Sequence, residues 1–183
     1  LDALQRRYST GNAGEHAYRA DLEALLRHLA PGVEVINEPV NVTKCGNPDF
    51  VLTQGPIPVG YVEAKDIGKD LDSKQYREQF DRYRKALDNL LITDYLRFQF
   101  FQHGQLAADL RLGTLENGKI QPDPSAFQRF QDQIHDFATY VGQTIKSPQK
   151  LAELMAGKAR LLQSTLEAAV QHDEDNQADT ALR

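Results

Sequence analysis

Hydrophobic and polar residues recur with two different periods over the first 112 residues of the chain, and these periods predict a mixed α/β fold. From about Ala13 to Leu29, apolar residues recur at the spacing of a helix, and the Pro31-Gly32 dipeptide ends it. Turn-forming residues at 53–58 separate two apolar runs, which we expect to pair as a hairpin. The strands predicted in this part of the chain cover residues 33–36, 50–52 and 59–64.

One more helix and two more strands follow. Asp72 or Ser73 can cap a helix that we predict to run to about Leu90, because aromatic and leucine side chains recur along one stripe of it. The aromatic run 95–101 predicts a strand, and residues 106–112 predict another. The element order is therefore α-β-β-β-α-β and a further strand, followed by two amphipathic helices that begin near prolines, over residues 124–141 and 148–170.

Length and composition limit the domain organisation. With 183 residues and 40% apolar content, the chain can bury one sizeable core and carry a helical appendage. We predict a core domain over residues 1–120, a helical extension or coupler over 121–172, and a disordered tail or linker over 173–183. The first residue is leucine and the last segment is polar, which favours a fragment of a longer polypeptide.

Cysteine content and hydropathy indicate the compartment. Cys45 is the single cysteine, so a disulfide framework is excluded and a reducing interior is expected. No stretch approaches about 18 consecutive apolar residues, and no charged and then apolar leader opens the chain. We therefore expect a soluble, cytoplasmic protein with no membrane partner.

The charge distribution alone does not identify a nucleic-acid partner. The net charge of −5 argues against a polyanionic ligand, because phosphate binding usually leaves a basic footprint. Between Lys65 and Lys85, seven basic residues stand against five acidic ones, which is a mild local excess. Taken alone, this excess is better explained by a solvated helix face with ion pairs. The five histidines show no metal-binding spacing, and no phosphate-binding loop is present.

Two acidic residues and a lysine lie at the ends of two predicted strands, in Pro48-Asp49 and Glu63-Ala64-Lys65. Strand residues alternate between faces, so Glu63 and Lys65 project from the same face. Carboxylate oxygens suit Mg²⁺, which binds few protein ligands and keeps several waters. The alternative for Asp49 is a turn-capping role after proline, and the alternative for Glu63 and Lys65 is an exposed ion pair.

These residues resemble the motif of the PD-(D/E)xK nuclease superfamily, and the resemblance covers about residues 11 to 112. The segment Gln79-Phe80-Asp81-Arg82-Tyr83 is similar to the Gln-x-x-x-Tyr pattern of its exonuclease-like branch. The amino-acid sequences of residues 60–68 and 89–95 further resemble the amino-terminal nuclease of single-chain restriction-modification enzymes of the type ISP or type IIG kind. Residues 151–160 are similar to the helical coupler that follows such nucleases.

The resemblance implies a restriction-endonuclease-like αβββαβ core, with a mixed central sheet flanked by helices and a helical extension after it. It also implies a metal-dependent endonuclease that cuts double-stranded DNA, leaves 5′-phosphate ends, and uses Mg²⁺ with Mn²⁺ as a substitute. Methyltransferase, helicase and target-recognition domains are expected on the same polypeptide. The implied catalytic residues are Asp49, Glu63, Lys65 and Gln79, and the implied metal ligands are Asp49, Glu63, the Ala64 carbonyl and Glu15.

Several of these roles have simpler alternatives. An acidic residue in the first turn of a helix, such as Glu15, also stabilises the helix dipole. Gln79 is equally explained as a surface glutamine, and Tyr83 is better explained as an aromatic at the edge of the core. The alternative function is a non-catalytic DNA-binding or docking domain that keeps the nuclease fold, and an RNA-directed or nucleoside-processing enzyme of the same fold is a third possibility.

Overall fold

A computed structural model describes residues 1–11, 15–39 and 45–140, together with helical residues at intervals between 152 and 170. The chain divides into two compact units, Leu1–Gln143 and Thr144–Arg183. The second unit contains helical residues within the segment where a helix is predicted. The first unit contains all of the sheet structure that is described, and it carries the candidate site.

Four α-helices and eight strands make up the described part of the first unit. Two short 3₁₀ helices, Glu15–Tyr18 and Pro124–Ala126, lead into the second and fourth α-helices. The α-helices are α1 (Asp2–Tyr8), α2 (Arg19–Leu29), α3 (Lys74–Ala86) and α4 (Phe127–Ala138). The strands are β1 (Glu34–Asn37), β2 (Phe50–Gln54), β3 (Ile57–Ala64), β4 (Asn89–Thr93), β5 (Arg97–Gln102), β6 (Gln105–Arg111), β7 (Gly113–Glu116) and β8 (Lys119–Pro122).

The first six strands form one mixed sheet in sequence order. Neighbouring strands pair antiparallel except β3 and β4, which are parallel because α3 carries the chain across between them. The β2–β3 hairpin agrees with the sequence prediction. Strands β7 and β8 form a separate two-stranded sheet.

The sheet separates two hydrophobic clusters, and β4 contributes to both. Leu91 packs in the cluster that contains buried residues of α2 and α4, whereas Leu90 and Ile92 pack in the cluster that contains α3. Side chains of a strand alternate between faces, so a strand that is covered on both sides has no polar face. All five residues of β4 are buried accordingly.

The predicted end of α3 is wrong, and the central strand β4 is absent from the sequence prediction. The helix ends at Ala86, whereas the apolar stripe suggested about Leu90. A short continuous apolar run such as the one in β4 shows neither the helical nor the strand period. The sequence prediction therefore assigns it to the end of the preceding helix. The predicted α-β-β-β-α-β order is nevertheless correct. Its last strand is β4 rather than the predicted strand 95–101, and that predicted strand corresponds to β5.

Helix α1 and the β7–β8 hairpin are two further elements that the sequence prediction lacks. The hairpin turns at Asn117 and Gly118, both of which have positive φ, at 49° and 75°. An Asn-Gly pair is a strong local signal for a tight hairpin turn, so this hairpin was predictable. Helix α4 was expected and belongs to the first unit, where Phe130, Ile134 and Phe137 are buried against the sheet. The predicted division at residue 120 stays a prediction.

Candidate active site

Asp49 lies directly before β2 and beside the end of β3. Because β2 pairs Phe50 with Val62 in an antiparallel register, Asp49 comes next to Glu63. The Ala64 amide donates a hydrogen bond to Asp49 Oδ2 at 2.8 Å. The other carboxylate oxygen, Oδ1, accepts a hydrogen bond from the guanidinium of Arg19. The Asp49 side chain is only 12% exposed, so these contacts fix its position.

Glu63 lies near the end of β3, and its side chain is buried. Two donors from different parts of the chain reach the same carboxylate oxygen: Lys65 Nζ lies 2.7 Å and Gln79 Nε2 lies 2.8 Å from Glu63 Oε1. Lys65 reaches it because residues two apart on a strand share a face. Gln79 reaches it from α3, the helix that connects β3 to β4. The structure therefore brings together the four predicted catalytic residues.

Lys65 lies between this carboxylate and two aromatic rings. Its amide donates to the Thr93 carbonyl at 2.8 Å, which continues the β3–β4 pairing. Its Nζ lies 5.2 Å from the ring centroid of Tyr76 and 5.8 Å from that of Phe80. The rings and the carboxylate both favour the charged ammonium. These contacts hold the Lys65 amino group beside Glu63.

The electrostatics of the site centre on Glu63. Burial, and then the negative charge of Asp49, raise the pKa of the Glu63 carboxyl to about 7, although Lys65 and Gln79 act in the opposite direction. Desolvation and a like charge both disfavour the ionised form of a carboxyl group. A carboxyl group with such a pKa, beside a second acid and a lysine, is typical of functional sites.

Glu63→Gln is expected to change the pH dependence of stability when EDTA keeps the protein metal-free. The pKa of Glu63 is about 7 in the folded protein, whereas the ordinary value of about 4.5 applies to the unfolded chain. Between these two pH values the folded state therefore binds more protons than the unfolded state. Wild-type stability therefore falls as pH rises from about 4.5 through about 7, by on the order of 3 kcal/mol at 1.36 kcal/mol per pKa unit. Urea unfolding at pH 5 and pH 8 should show this decrease in the wild type and not in the variant.

Glu78→Gln is the matched control, because Glu78 lies on α3 with its side chain 96% exposed. Its only described charge partner within 4 Å is Arg82, at 3.8 Å, and such exposed pairs contribute little to stability. This variant should keep the pH dependence of the wild type. Equal pH dependences for the wild type and Glu63→Gln would contradict the raised pKa.

Helix α3 also fixes the loop that leads into Asp49. Arg82 Nε donates to the Cys45 carbonyl at 2.7 Å, and the Tyr83 hydroxyl donates to the Asn47 carbonyl at 2.9 Å. Tyr83 is buried, as expected for an aromatic of the core, and its hydroxyl gives it a second role. Buried donors and acceptors are held in place by such bonds. One helix therefore orients Glu63 through Gln79 and supports the chain before Asp49.

Sequence reasoning did not identify Arg19 and Arg82 as residues of the site. The assignments of Glu15 and the Ala64 carbonyl as metal ligands stay predictions. Arg19 shares the spacing of the buried Leu22 and Leu26 on α2, and a charged residue on an apolar stripe is the signal that was available. Glu15 begins the 3₁₀ helix before α2, and its side chain lies outside the described residues. Ala64 is fully buried and uses its amide on Asp49, while the role of its carbonyl stays a prediction.

The residues of the site fit a hydrated divalent cation. Asp49 raises the pKa of Glu63 through its charge, and a cation beside both carboxylates removes that repulsion. In the part of the chain that is described, no group of three or more acidic, histidine or cysteine side chains converges. Two carboxylates with waters in the remaining positions is a normal coordination for Mg²⁺, whereas it is too few protein ligands for a Ca²⁺ cage or a structural Zn²⁺ site.

The six-stranded mixed sheet with helices on both faces is a restriction-endonuclease-like fold. The chain is similar in structure to a chain of the cryo-EM structure of the DrdV–DNA complex, with a TM-score of 0.54 and 20% sequence identity. The match covers 74% of this chain and 97% of that one. No family model matches the sequence, and no curated protein matches it. Among the described helices, none has the length and apolar character needed to span a membrane.

Proposed function

We propose that this chain is a Mg²⁺-dependent endonuclease that hydrolyses phosphodiester bonds of double-stranded DNA and leaves 5′-phosphate ends. The observation that carries the proposal is the convergence of Asp49, Glu63 and Lys65, with the lysine amino group 2.7 Å from Glu63 Oε1. The similar chain belongs to a protein–DNA complex, which supports DNA as the substrate class.

We also propose that the chain is the cleavage module of a larger restriction-modification enzyme. Hydrolysis needs the backbone of DNA to reach the two carboxylates, but it does not need any base to be read there. Choice of the DNA site therefore belongs to target-recognition, methyltransferase and helicase domains of the same polypeptide.

Each side chain of the site has a defined task in this proposal. Asp49 and Glu63 would hold the ion, and the Ala64 carbonyl and Glu15 would be its further ligands, the latter through water. When bound, Mg²⁺ supplies Lewis acidity at the phosphate and lowers the pKa of a coordinated water, and Mn²⁺ can substitute for it. Lys65 orients the attacking water and stabilises negative charge that develops on the phosphate oxygens.

Gln79 supports the same chemistry through Glu63. Its amide and the Lys65 ammonium donate to one oxygen of that carboxylate, which fixes the rotation of the group. A ligand that is held by hydrogen bonds loses less conformational freedom when the ion binds. The expected contact of Gln79 with water or phosphate stays a prediction.

The test is cleavage of supercoiled plasmid by the full-length polypeptide that contains this chain, in Mg²⁺, in Mn²⁺ and in excess EDTA. Nicked and linear DNA are expected with either ion and not with EDTA, and DNA ligase should reseal the nicks if they carry 5′-phosphates. Asp49→Asn, purified in the same way, controls for a contaminating nuclease. DNA binding without cleavage would instead support the non-catalytic domain, and equal cleavage of RNA would contradict the substrate class.

A further inference from the structure

Arg19 places a buried positive charge directly on the candidate metal site. It is the first residue of α2, and its side chain is only 9% exposed. One guanidinium nitrogen, Nη2, donates to Asp49 Oδ1, and the other, Nη1, donates to Glu38 Oε1 at 2.7 Å. Arginine is seldom buried without such partners, because desolvation of its charge is costly. Both carboxylates therefore help to hold the Arg19 guanidinium in this position.

The contacts of Asp49 divide between its two oxygens. Oδ2 accepts the Ala64 amide, so the backbone of β3 holds that side of the carboxylate. Oδ1 accepts a hydrogen bond from the Arg19 guanidinium, which is a side-chain group rather than backbone. A cation that binds Asp49 must therefore share the carboxylate with Arg19 or displace it.

The charges of the ion-free site also indicate that Arg19 competes with a bound cation. Above about pH 7, where Glu63 is ionised, Asp49 and Glu63 both carry negative charge, and Arg19 and Lys65 place two positive charges at hydrogen-bonding distance from them. A divalent ion held by the two carboxylates would add two positive charges beside the guanidinium of Arg19 and the ammonium of Lys65. Like charges at such distances repel strongly when they are not screened by solvent.

Glu38 offers the guanidinium a second position. Its side chain is 66% exposed, so it is not fixed by packing, while its amide donates to the Asp49 carbonyl at 2.8 Å. The Glu38 backbone is therefore anchored beside Asp49, and its carboxylate already accepts one arm of Arg19. Arg19 can move away from Asp49 and still keep Glu38 as an ionic partner.

On the basis of the proposed function, we propose that Arg19 is a positioning residue that occupies Asp49 in the ion-free protein and shifts to Glu38 when a divalent cation binds. Arg19 then competes with the ion and keeps the ion affinity of the DNA-free protein low. Removal of the competing charge raises the affinity, whereas removal of the Glu38 carboxylate lowers it. The two substitutions therefore change ion affinity in opposite directions.

The experiment is a titration of each protein with Mn²⁺, in which electron paramagnetic resonance measures the unbound ion, without DNA. Arg19→Met is expected to bind Mn²⁺ about tenfold more tightly than the wild type, which corresponds to about 1.4 kcal/mol. Arg19→Lys keeps the charge and should stay near the wild type. Arg27→Met is the matched control, because Arg27 lies on the same helix, pairs with Glu23, and should leave the affinity unchanged.

Glu38→Gln is the second variant, and it keeps the proposal testable if Arg19→Met does not fold by circular dichroism. It should bind Mn²⁺ several-fold more weakly than the wild type, because the group toward which Arg19 shifts no longer carries a negative charge. Equal or weaker binding by a folded Arg19→Met, or equal or tighter binding by Glu38→Gln, would overturn the role of Arg19 while leaving the ion site intact. Absence of binding by all variants and the wild type would overturn the ion site of the proposed function, and this inference with it.

Discussion

Asp49→Asn should reduce DNA cleavage on the order of 10³-fold, as expected for loss of a charged group on which the electrostatic stabilisation of the reaction depends. The substitution keeps the size of the side chain and an oxygen for the Ala64 amide, so the local structure is retained. It removes the negative charge that attracts the ion and that pairs with Arg19. The measurement is the single-turnover rate of plasmid cleavage in saturating Mg²⁺.

Asp109→Asn is the matched control for this substitution. Asp109 lies on β6 and also pairs with an arginine, Arg97, so its replacement likewise deprives a guanidinium of a carboxylate partner. It lies outside the group formed by Asp49, Glu63 and Lys65, and its replacement should leave the cleavage rate within about twofold, since surface substitutions away from a site have small effects. Cleavage by Asp49→Asn within tenfold of the wild type would contradict the role of Asp49.

The relation of Asp49 to Glu63 was predictable because it depends on local pairing. Both residues lie at the ends of short apolar runs separated by a turn-rich segment, and a hairpin brings the ends of its strands together. Strand alternation likewise predicted that Glu63 and Lys65 share a face, and the structure places them in contact. Asp49, Glu63 and Lys65 could therefore be predicted to lie together, because they belong to two strands that are adjacent in sequence.

Strand β4 was not predictable in the same way. Its five residues are buried on both faces, so they show neither the alternation of a half-buried strand nor the stripe of a surface helix. Leu87 and Leu90 continue the spacing of the α3 stripe, although Leu87 is already extended at the end of the helix. The helix end was therefore set by the parallel pairing of β3 with β4, which is a tertiary contact.

The contribution of Arg19 also depends on tertiary structure. The helical period places it on the buried face of α2, but it does not say which part of the sheet that face covers. The contact with Asp49 spans 30 residues, and the contact with Glu38 spans 19. The raised pKa of Glu63 has the same origin, because its largest cause is burial, which depends on how the helices cover the sheet.

Lys65→Met should separate ion binding from cleavage, with a loss of about 10²- to 10³-fold in the single-turnover rate. Methionine keeps an unbranched apolar stem against the rings of Tyr76 and Phe80, where a thioether makes favourable contacts. Both carboxylates remain, so Lys65→Met should still bind Mn²⁺, whereas Asp49→Asn should not. The titration is made at a pH of about 8.5, which is above the pKa of about 7 of Glu63. Cleavage and Mn²⁺ titration of the same protein preparation provide the measurement.

Lys69→Met is the matched control, because Lys69 is exposed just beyond the same strand and belongs to the turn before α3. It should cleave DNA at the wild-type rate, which excludes a general loss of positive charge as the cause. Loss of both Mn²⁺ binding and cleavage in Lys65→Met would mean that the lysine acts by assembling the carboxylates. Loss of cleavage alone assigns the ammonium to the reaction, since an interaction made only in the transition state lowers the rate without weakening ground-state binding.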